Sequence, residues 1–243
     1  EGQILIGGKV VNTWTPAQRN VAMAFETYAL YSHLSVRDNL GLCLKAKGVA
    51  AEEIKGQVEQ IAEVLRITDI LEARSSGLSG GQQQRVSLGR ALIRNPSVSL
   101  LDEPLSHLDA SLRLETRIEI KRIHQRLKGT FIFVTHDQRE AMTMADMVVV
   151  MGPDNRVRQV GTPLEIYRQP SDTFVADFIG SSNLLQGSCM GAREVKIGDQ
   201  HLVVAEMPAG ISDGTSVTVS VRPEDITILP GTEKGNNRKP RTV

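Results

Sequence analysis

The reading of this chain turns on residues 78–109. They open with Leu78-Ser79-Gly80-Gly81-Gln82 and close on Val98-Ser99-Leu100-Leu101-Asp102-Glu103-Pro104 and Ser106-His107-Leu108-Asp109. A serine before a Gly pair at a helix start aims backbone N–H groups and the positive end of the helix dipole at one point, which suits an anion. Glycines there let the backbone approach phosphate closely. An apolar run ending in two adjacent carboxylates is a strand delivering negative charge to a rim. Either feature alone has an ordinary explanation, a loop-to-helix turn or a solvated acidic pair. Together they point to a magnesium–phosphate site.

Composition narrows the class. Of 243 residues, 40% are hydrophobic and 23% charged, as in soluble globular proteins, and the length holds one large domain or two smaller ones. Lys+Arg and Asp+Glu both number 28, so no basic nucleic-acid footprint is present, and 4% aromatics argues against a base-stacking surface. The two cysteines, Cys43 and Cys189, lie far apart without metal-ligand spacing, which fits a reducing compartment. No apolar run approaches the ~20 residues needed to span a bilayer. The opening Glu-Gly-Gln-Ile-Leu-Ile-Gly-Gly has neither an initiator Met nor a signal-peptide pattern, so the chain is expected to begin in mid-domain, on a strand (Gln3–Ile6) entering a Gly7-Gly8 turn.

Along the chain, residues 21–25 read as a strand after the polar stretch 12–20, and residues 26–33 as a loop carrying Tyr28 and Tyr31. Between 35 and 75 the pattern turns helical, with Ile54, Val58, Ile61 and Leu65 forming one apolar stripe. Ser79 should cap a helix running to about Ile93, stopped by Asn95-Pro96. Val98–Leu101 and Phe131–Val134 read as strands buried on both faces of a parallel sheet. Between them lies a helix bearing Leu112, Leu114, Ile118, Ile120, Ile123 and Leu127, ended by Gly129. Thr135-His136 stands at the carboxyl end of the second strand, and Asp137 with Glu140 suggests a capping box. Met147–Met151 is a further strand. Such alternation predicts a mostly parallel α/β sheet with ligands at the strands' carboxyl ends, the rim that holds Asp102, Glu103 and His136. After Gly161 come two helical segments, 163–167 and 173–179, then runs of alternating apolar and small polar residues.

These motifs resemble those of ATP-binding-cassette (ABC) ATPases. Leu78–Gln82, followed by Gln84-Arg85-Val86 and Arg90-Ala91-Leu92, is similar to their signature motif. Leu100–Pro104 resembles their Walker B motif with its catalytic glutamate, Ser106–Asp109 their D-loop, and Val134–Asp137 their switch-histidine loop. Phe25–Tyr31, Gln159–Tyr167 and Val221–Asp225 resemble the ATPase subunits of bacterial sugar and glycerol-phosphate importers, which carry a C-terminal regulatory domain of the TOBE (oligonucleotide-fold) type.

The resemblance implies an α/β fold: a P-loop NTPase (ABC) domain over residues 1–160 with a helical subdomain at about 35–95. A helical linker at 161–181, a small TOBE-like β module at 182–230 and a disordered tail at 231–243 would follow. It implies ATP and Mg²⁺ as cofactors, Asp102 as the magnesium residue, Glu103 and His136 as catalytic residues, and Ser79, Gly80, Gly81, Gln82, Asp109 and Glu26 as nucleotide-facing ones. Glu103 would polarise the attacking water, His136 sense the γ-phosphate, and Ser79–Gln82 clamp ATP held by the partner of an ATPase-domain dimer. Two transmembrane permease subunits, indirectly an extracytoplasmic solute-binding protein, and no nucleic acid complete the implied partners. The implied location is peripheral, on the cytoplasmic face of the cell membrane. Tyr28 and Tyr31 either pack under the helical subdomain or couple nucleotide state to the membrane partner.

The chain departs from the family pattern twice. No Gly-x-x-x-x-Gly-Lys-Ser/Thr cradle occurs: the only Gly-Lys pair, Gly8-Lys9, is followed by Val10. An N-terminal truncation is therefore expected, or else a partner subunit lacking its own cradle. Position 26 is Glu where the family has Gln. The expected function is the ATPase subunit of a sugar or glycerol-phosphate importer. Alternatives are a polyamine or organophosphonate importer, suggested by Phe178–Asn183, and a non-catalytic pseudo-ATPase or regulatory subunit, suggested by the missing cradle.

Overall fold

The computed structural model describes residues 2–106, 108–204, 207 and 210–226, and the chain divides into two compact units, 1–144 and 145–243. The expected tail at 231–243, the end of the 182–230 module and His107 of the Ser106–Asp109 stretch lie outside the described residues.

The first unit opens on a hairpin of β1 (Leu5–Ile6) and β2 (Lys9–Val10), in which Gly7 and Gly8 take φ of +57° and +75°. Positive φ at both central residues is what a two-residue hairpin turn requires. A one-turn helix, α1 (Pro16–Arg19), follows, capped reciprocally by Thr15 and Gln18. Then β3 (Val21–Ala24), β4 (Val98–Asp102) and β5 (Thr130–Val134) pair in parallel, in that spatial order, with Ala24 opposite Leu101 and Asp102 opposite Val134.

Three helices lie in sequence between β3 and β4: α2 (Val36–Ala46), α3 (Ala51–Leu65) and α4 (Gly80–Leu92). The stripe read from sequence faces inward, with Val58, Ile61 and Leu65 buried and Ile54 packed against the same core. Leu40 of α2, Leu65 of α3 and Val86 of α4 are buried together in that core. Their close approach depends on Gly89, where an added Cβ would sit 2.6 Å from a Leu40 methyl and 2.8 Å from one of Leu65. Helix α5 (Ala110–Leu127) and the short α6 (Gln138–Met144) flank β5 in sequence.

Four local expectations change. Helix α5 ends at Lys128, whose N–H closes the last turn onto His124 O at 2.9 Å with φ of +50°, so Gly129 is not the left-handed residue. Gly129 is favoured instead by crowding, because its Cβ would stand 3.3 Å from the Phe131 ring. Strand β5 is buried on one face only: Phe131 and Phe133 pack on the core, while Ile132 and Val134 are each 51% exposed. Met23 of β3, in register with Ile132 through Leu100, is exposed too, so the open side is a face of the sheet rather than a property of β5 alone. On β4 the alternation is milder, with Ser99 and Leu101 buried and their neighbours half-buried. Glu140 forms no capping box with Asp137; its buried carboxylate accepts the Thr135 hydroxyl at 2.5 Å, so this loop is closed from its other side.

In the second unit β6 (Val148–Met151) and β7 (Val157–Gly161) form an antiparallel ribbon, followed by α7 (Pro163–Arg168) and α8 (Thr173–Phe178). Strands β8 (Asn183–Cys189), β9 (Glu194–Ile197), β10 (Gln200–Val203) and β11 (Ser216–Val221) make an antiparallel sheet in the order β10-β9-β8-β11. Arg222, at the end of β11, is buried. It donates to the carbonyls of Ala176, Ile179, Gly180 and Tyr167 and lies 4.2 Å over the Tyr167 ring. Tyr167 in turn donates its hydroxyl to Glu224. No helix among the described residues is long and apolar enough to cross a membrane.

Candidate functional site

Parallel pairing of β4 and β5 sets two of the expected residues side by side. Asp102 is the last residue of β4, and Glu103 follows with φ of +42°, a left-handed conformation that a side chain rarely adopts. Its backbone is held from three directions: Glu103 N–H donates to Val134 O at 3.0 Å, and Glu103 O accepts Ser106 N–H at 3.2 Å and the Ser106 hydroxyl at 3.0 Å. The sharp turn throws the Glu103 carboxylate toward the end of β5. There His136 Nδ1 lies 3.1 Å from Glu103 Oε2. An ionised carboxylate only accepts, so in this contact Nδ1 carries the proton. Glu103 is half-buried, whereas the His136 ring is 73% exposed and open to a ligand.

His136 rides on a tightly tied loop. The Thr135 hydroxyl donates to Glu140 and accepts Asp137 N–H at 3.0 Å, and Asp137 Oδ1 accepts Arg139 N–H at 2.8 Å. From α5, Arg113 spans the next gap: it donates to Leu108 O at 3.1 Å and stands 3.8 Å from Asp137 Oδ2. The backbone leading into Asp109 is thereby linked to the loop carrying His136.

Ser79 caps α4 as expected, and its partner is Gln82. Gln82 N–H donates to Ser79 Oγ at 3.4 Å, and Gln82 Oε1 accepts Ser79 N–H at 2.9 Å. These two side chains therefore serve the helix start. Asp109 does the same for α5, accepting Leu112 N–H at 3.0 Å. The two helix starts are neighbours. A Cβ at Gly81 would meet Leu112 at 2.8 Å, and one at Gly80 would touch Leu108 at an ordinary 3.5 Å. The pair thus divides its work: Gly81 is required by helix packing and Gly80 is not.

Glu26 lies two residues beyond β3. Since Ala24 is in register with Leu101, it stands on the same strand-end edge as Glu103. Among the described residues no three His, Cys, Asp or Glu side chains converge as a metal-holding group, so Glu26 is not gathered with Asp102 and Glu103 into a three-carboxylate cluster. Two carboxylates at a strand end still fit Mg²⁺, which takes few protein ligands and keeps waters and phosphate oxygens for the rest.

Sequence reasoning missed two links. Gln84, buried on α4, donates its amide to Pro104 O and ties the helix bearing Ser79–Gln82 to the turn after Glu103. Thr135 and Glu140 hold the His136 loop. Gln84 carries no spacing signal, since a buried glutamine looks like any polar residue on a helix, and the spacing of Glu140 from Asp137 suggested a capping box rather than the bond to Thr135.

Residues 1–106 match the family model described as "ABC transporter". The chain belongs to the ABC transporter family. It is 47% identical over 234 residues to the sn-glycerol-3-phosphate import ATP-binding protein UgpC 2 of Agrobacterium fabrum, covering 93% of this chain and 61% of that one. To UgpC of Burkholderia thailandensis it is 48% identical over 240 residues, covering 95% and 66%. To the maltose/maltodextrin import ATP-binding protein MalK of Yersinia pestis it is 46% identical over 232 residues, covering 93% and 63%. The chain thus spans about two thirds or less of the length of these relatives.

Proposed function

We propose that this chain is the ATP-hydrolysing part of an importer subunit, acting with permease partners at the cytoplasmic face of the membrane on a sugar or a glycerol phosphate. The observation that carries the reading is the Glu103–His136 contact at the carboxyl ends of two adjacent parallel strands. The names of the relatives, which import sn-glycerol-3-phosphate or maltose and maltodextrin, support the solute class.

In this reading Glu103 accepts the proton of the attacking water, a general-base role worth roughly 10²–10⁴ in rate. Its held backbone and its contact to His136 fix the carboxylate before substrate arrives, so little reorganisation is needed at the moment of reaction. His136 can hold Glu103 through Nδ1 and donate to a phosphate oxygen through Nε2 only as the doubly protonated ring. Mg²⁺, when bound, supplies charge neutralisation at the phosphates, and Asp102 is the residue that would hold it, through water. With the Ser79 and Gln82 N–H groups used by the cap, the N–H groups of Gly80 and Gly81 at the start of α4 are the ones that would face a nucleotide held by a dimer partner. Helices α2–α4 form the helical subdomain of this reading, and residues 182–230 its TOBE-like module.

The test joins the chain behind a segment carrying Gly-x-x-x-x-Gly-Lys-Ser/Thr and lets this joined protein replace the resident ATPase of a maltose or a glycerol-phosphate importer in cells. Uptake of the labelled solute is expected. Nucleotide binding with neither hydrolysis nor uptake would instead mark a regulatory pseudo-ATPase, and rescue of polyamine or phosphonate uptake alone would reassign the solute.

A further inference from the structure

The loop after β3 is held in a costly shape by the far end of the helix that begins at Ser79. Tyr28 and Ala29 are consecutive residues at φ of +59° and +47°. Left-handed conformations at non-glycine residues are strained and persist only where surroundings over-determine them. Two anchors do so here. Asn39, buried on α2, accepts Tyr31 N–H at 3.0 Å and donates to Tyr31 O at 3.0 Å and to the buried Ser75 hydroxyl at 2.8 Å, which fixes the loop's exit. Arg90, near the end of α4, donates to Ala29 O, and its guanidinium lies 4.7 Å from the Tyr31 ring centroid. Nearer the helix start, Phe25 and Tyr28 line a cavity of about 10 Å³ with Gln84, Ser87 and Leu88 of α4. Burial there raises the Tyr28 hydroxyl above its usual 10.0.

We propose that Arg90 is a positioning residue: gripping Ala29 O and the face of Tyr31, it locks the Glu26–Tyr31 loop in its left-handed conformation and makes that loop move with α4. Ser79, the N-cap of α4, and Arg90 are eleven residues apart along that helix, about 16 Å. Whatever displaces the Ser79–Gln82 end therefore displaces the Arg90 grip on the loop that carries Glu26. The asymmetry of the two anchors gives the device its direction. Asn39 and Ser75 fix the exit at Tyr31 to α2 and the segment before α4, whereas Arg90 reaches the Ala29 carbonyl at the strained residues. Release of Arg90 frees the Ala29 carbonyl while Asn39 still holds Tyr31. The lock itself is independent of the hydrolytic reading. Only its consequence, that nucleotide contact at Ser79–Gln82 is felt at Glu26, rests on it.

The experiment is amide exchange by NMR on the 243-residue chain without nucleotide, so its failure leaves the hydrolytic reading untouched. The reporters are the amides of Tyr28, bonded to Phe25 O, and Ala29, bonded to Thr27 O, with Val58 and Ile61 of the α3 core as controls. Arg90→Ala is expected to speed exchange at both reporters by about tenfold or more and to leave the controls within about twofold, as for a local opening. Arg90→Lys keeps a donor without the planar stack and should fall between. Ala29→Gly in the Arg90→Ala background removes one strained residue and should restore part of the protection. If Arg90→Ala does not fold, Tyr31→Leu, which deletes only the stacking face, takes its place and should speed the same two amides. Reporter exchange within about twofold of wild type in the folded variant overturns the proposal, as does the absence of any recovery in the Ala29→Gly double variant.

Discussion

Glu103 and His136 meet side chain to side chain across the ends of neighbouring strands, Oε2 to Nδ1 at 3.1 Å, while Glu103 N–H is bonded to Val134 O at 3.0 Å. The backbone bond belongs to the sheet and survives loss of the ring; the side-chain contact does not. In the joined protein, His136→Ala should lower kcat by about 100-fold or more. His136→Gln, whose amide can still donate to Glu103, should retain more activity than the alanine variant. Single-turnover hydrolysis at saturating Mg-ATP measures both.

Glu26 adds a negative charge on the edge shared with Glu103. Like charge repels phosphate oxygens, so Glu26→Gln should raise hydrolysis by the joined protein. Steady-state rates over a range of ATP concentrations decide this, and an unchanged rate would show that Glu26 does not face the nucleotide.

The three glycines of α4 should separate cleanly in stability. Gly89→Ala places a methyl 2.6 Å from Leu40 and should cost about 1–3 kcal/mol. Gly81→Ala, at 2.8 Å from the flexible end of Leu112, should cost less. Gly80→Ala meets only an ordinary contact at 3.5 Å and should be neutral within about 0.5 kcal/mol. Urea midpoints at constant slope give the order, and a costly Gly80→Ala would contradict it.

In the second unit, Tyr167 and Glu224 form a pair whose pH signature has two edges. The hydrogen bond to Glu224 raises the Tyr167 hydroxyl above its usual 10.0, and the same bond lowers the Glu224 carboxyl below its usual 4.5. A lowered acid stabilises above its unfolded value and loses that contribution as pH falls through its folded one. A raised phenol stabilises below its unfolded value and loses the contribution as pH rises through its folded one. Tyr167→Phe should therefore lower Tm most between about pH 5 and 10, with the deficit shrinking on both sides. Melting followed at pH 3.5, 7 and 11 tests this, and a deficit constant across pH would exclude the pair as its source.

Much of the α/β unit was legible from local chemistry. Ser79 before two glycines, the Ile54–Leu65 stripe and the run ending at Asp102 each fall on the element their pattern implies, because capping, burial period and strand length act within a few residues. Long-range packing was less legible. The exposed face of β5, with Ile132 and Val134, depends on what the fold lays against the sheet, and an apolar run of four residues carries no mark of that. Lys128 in place of Gly129 shows a cap placed by the helix's own hydrogen bonds against residue preference. At the site, residue types at strand ends pointed to Glu103 and His136. The Gln84–Pro104 and Arg113–Asp137 links join segments whose approach only the fold reveals.

The most direct test of the account is Glu103→Gln in the joined protein. Hydrolysis of Mg-ATP should fall by about 10²–10⁴-fold while nucleotide binding stays within about twofold, because the amide keeps the shape of the carboxylate and loses its basicity. Hydrolysis that remains within twofold of the unmutated protein would contradict the assignment of Glu103 as the residue that activates water.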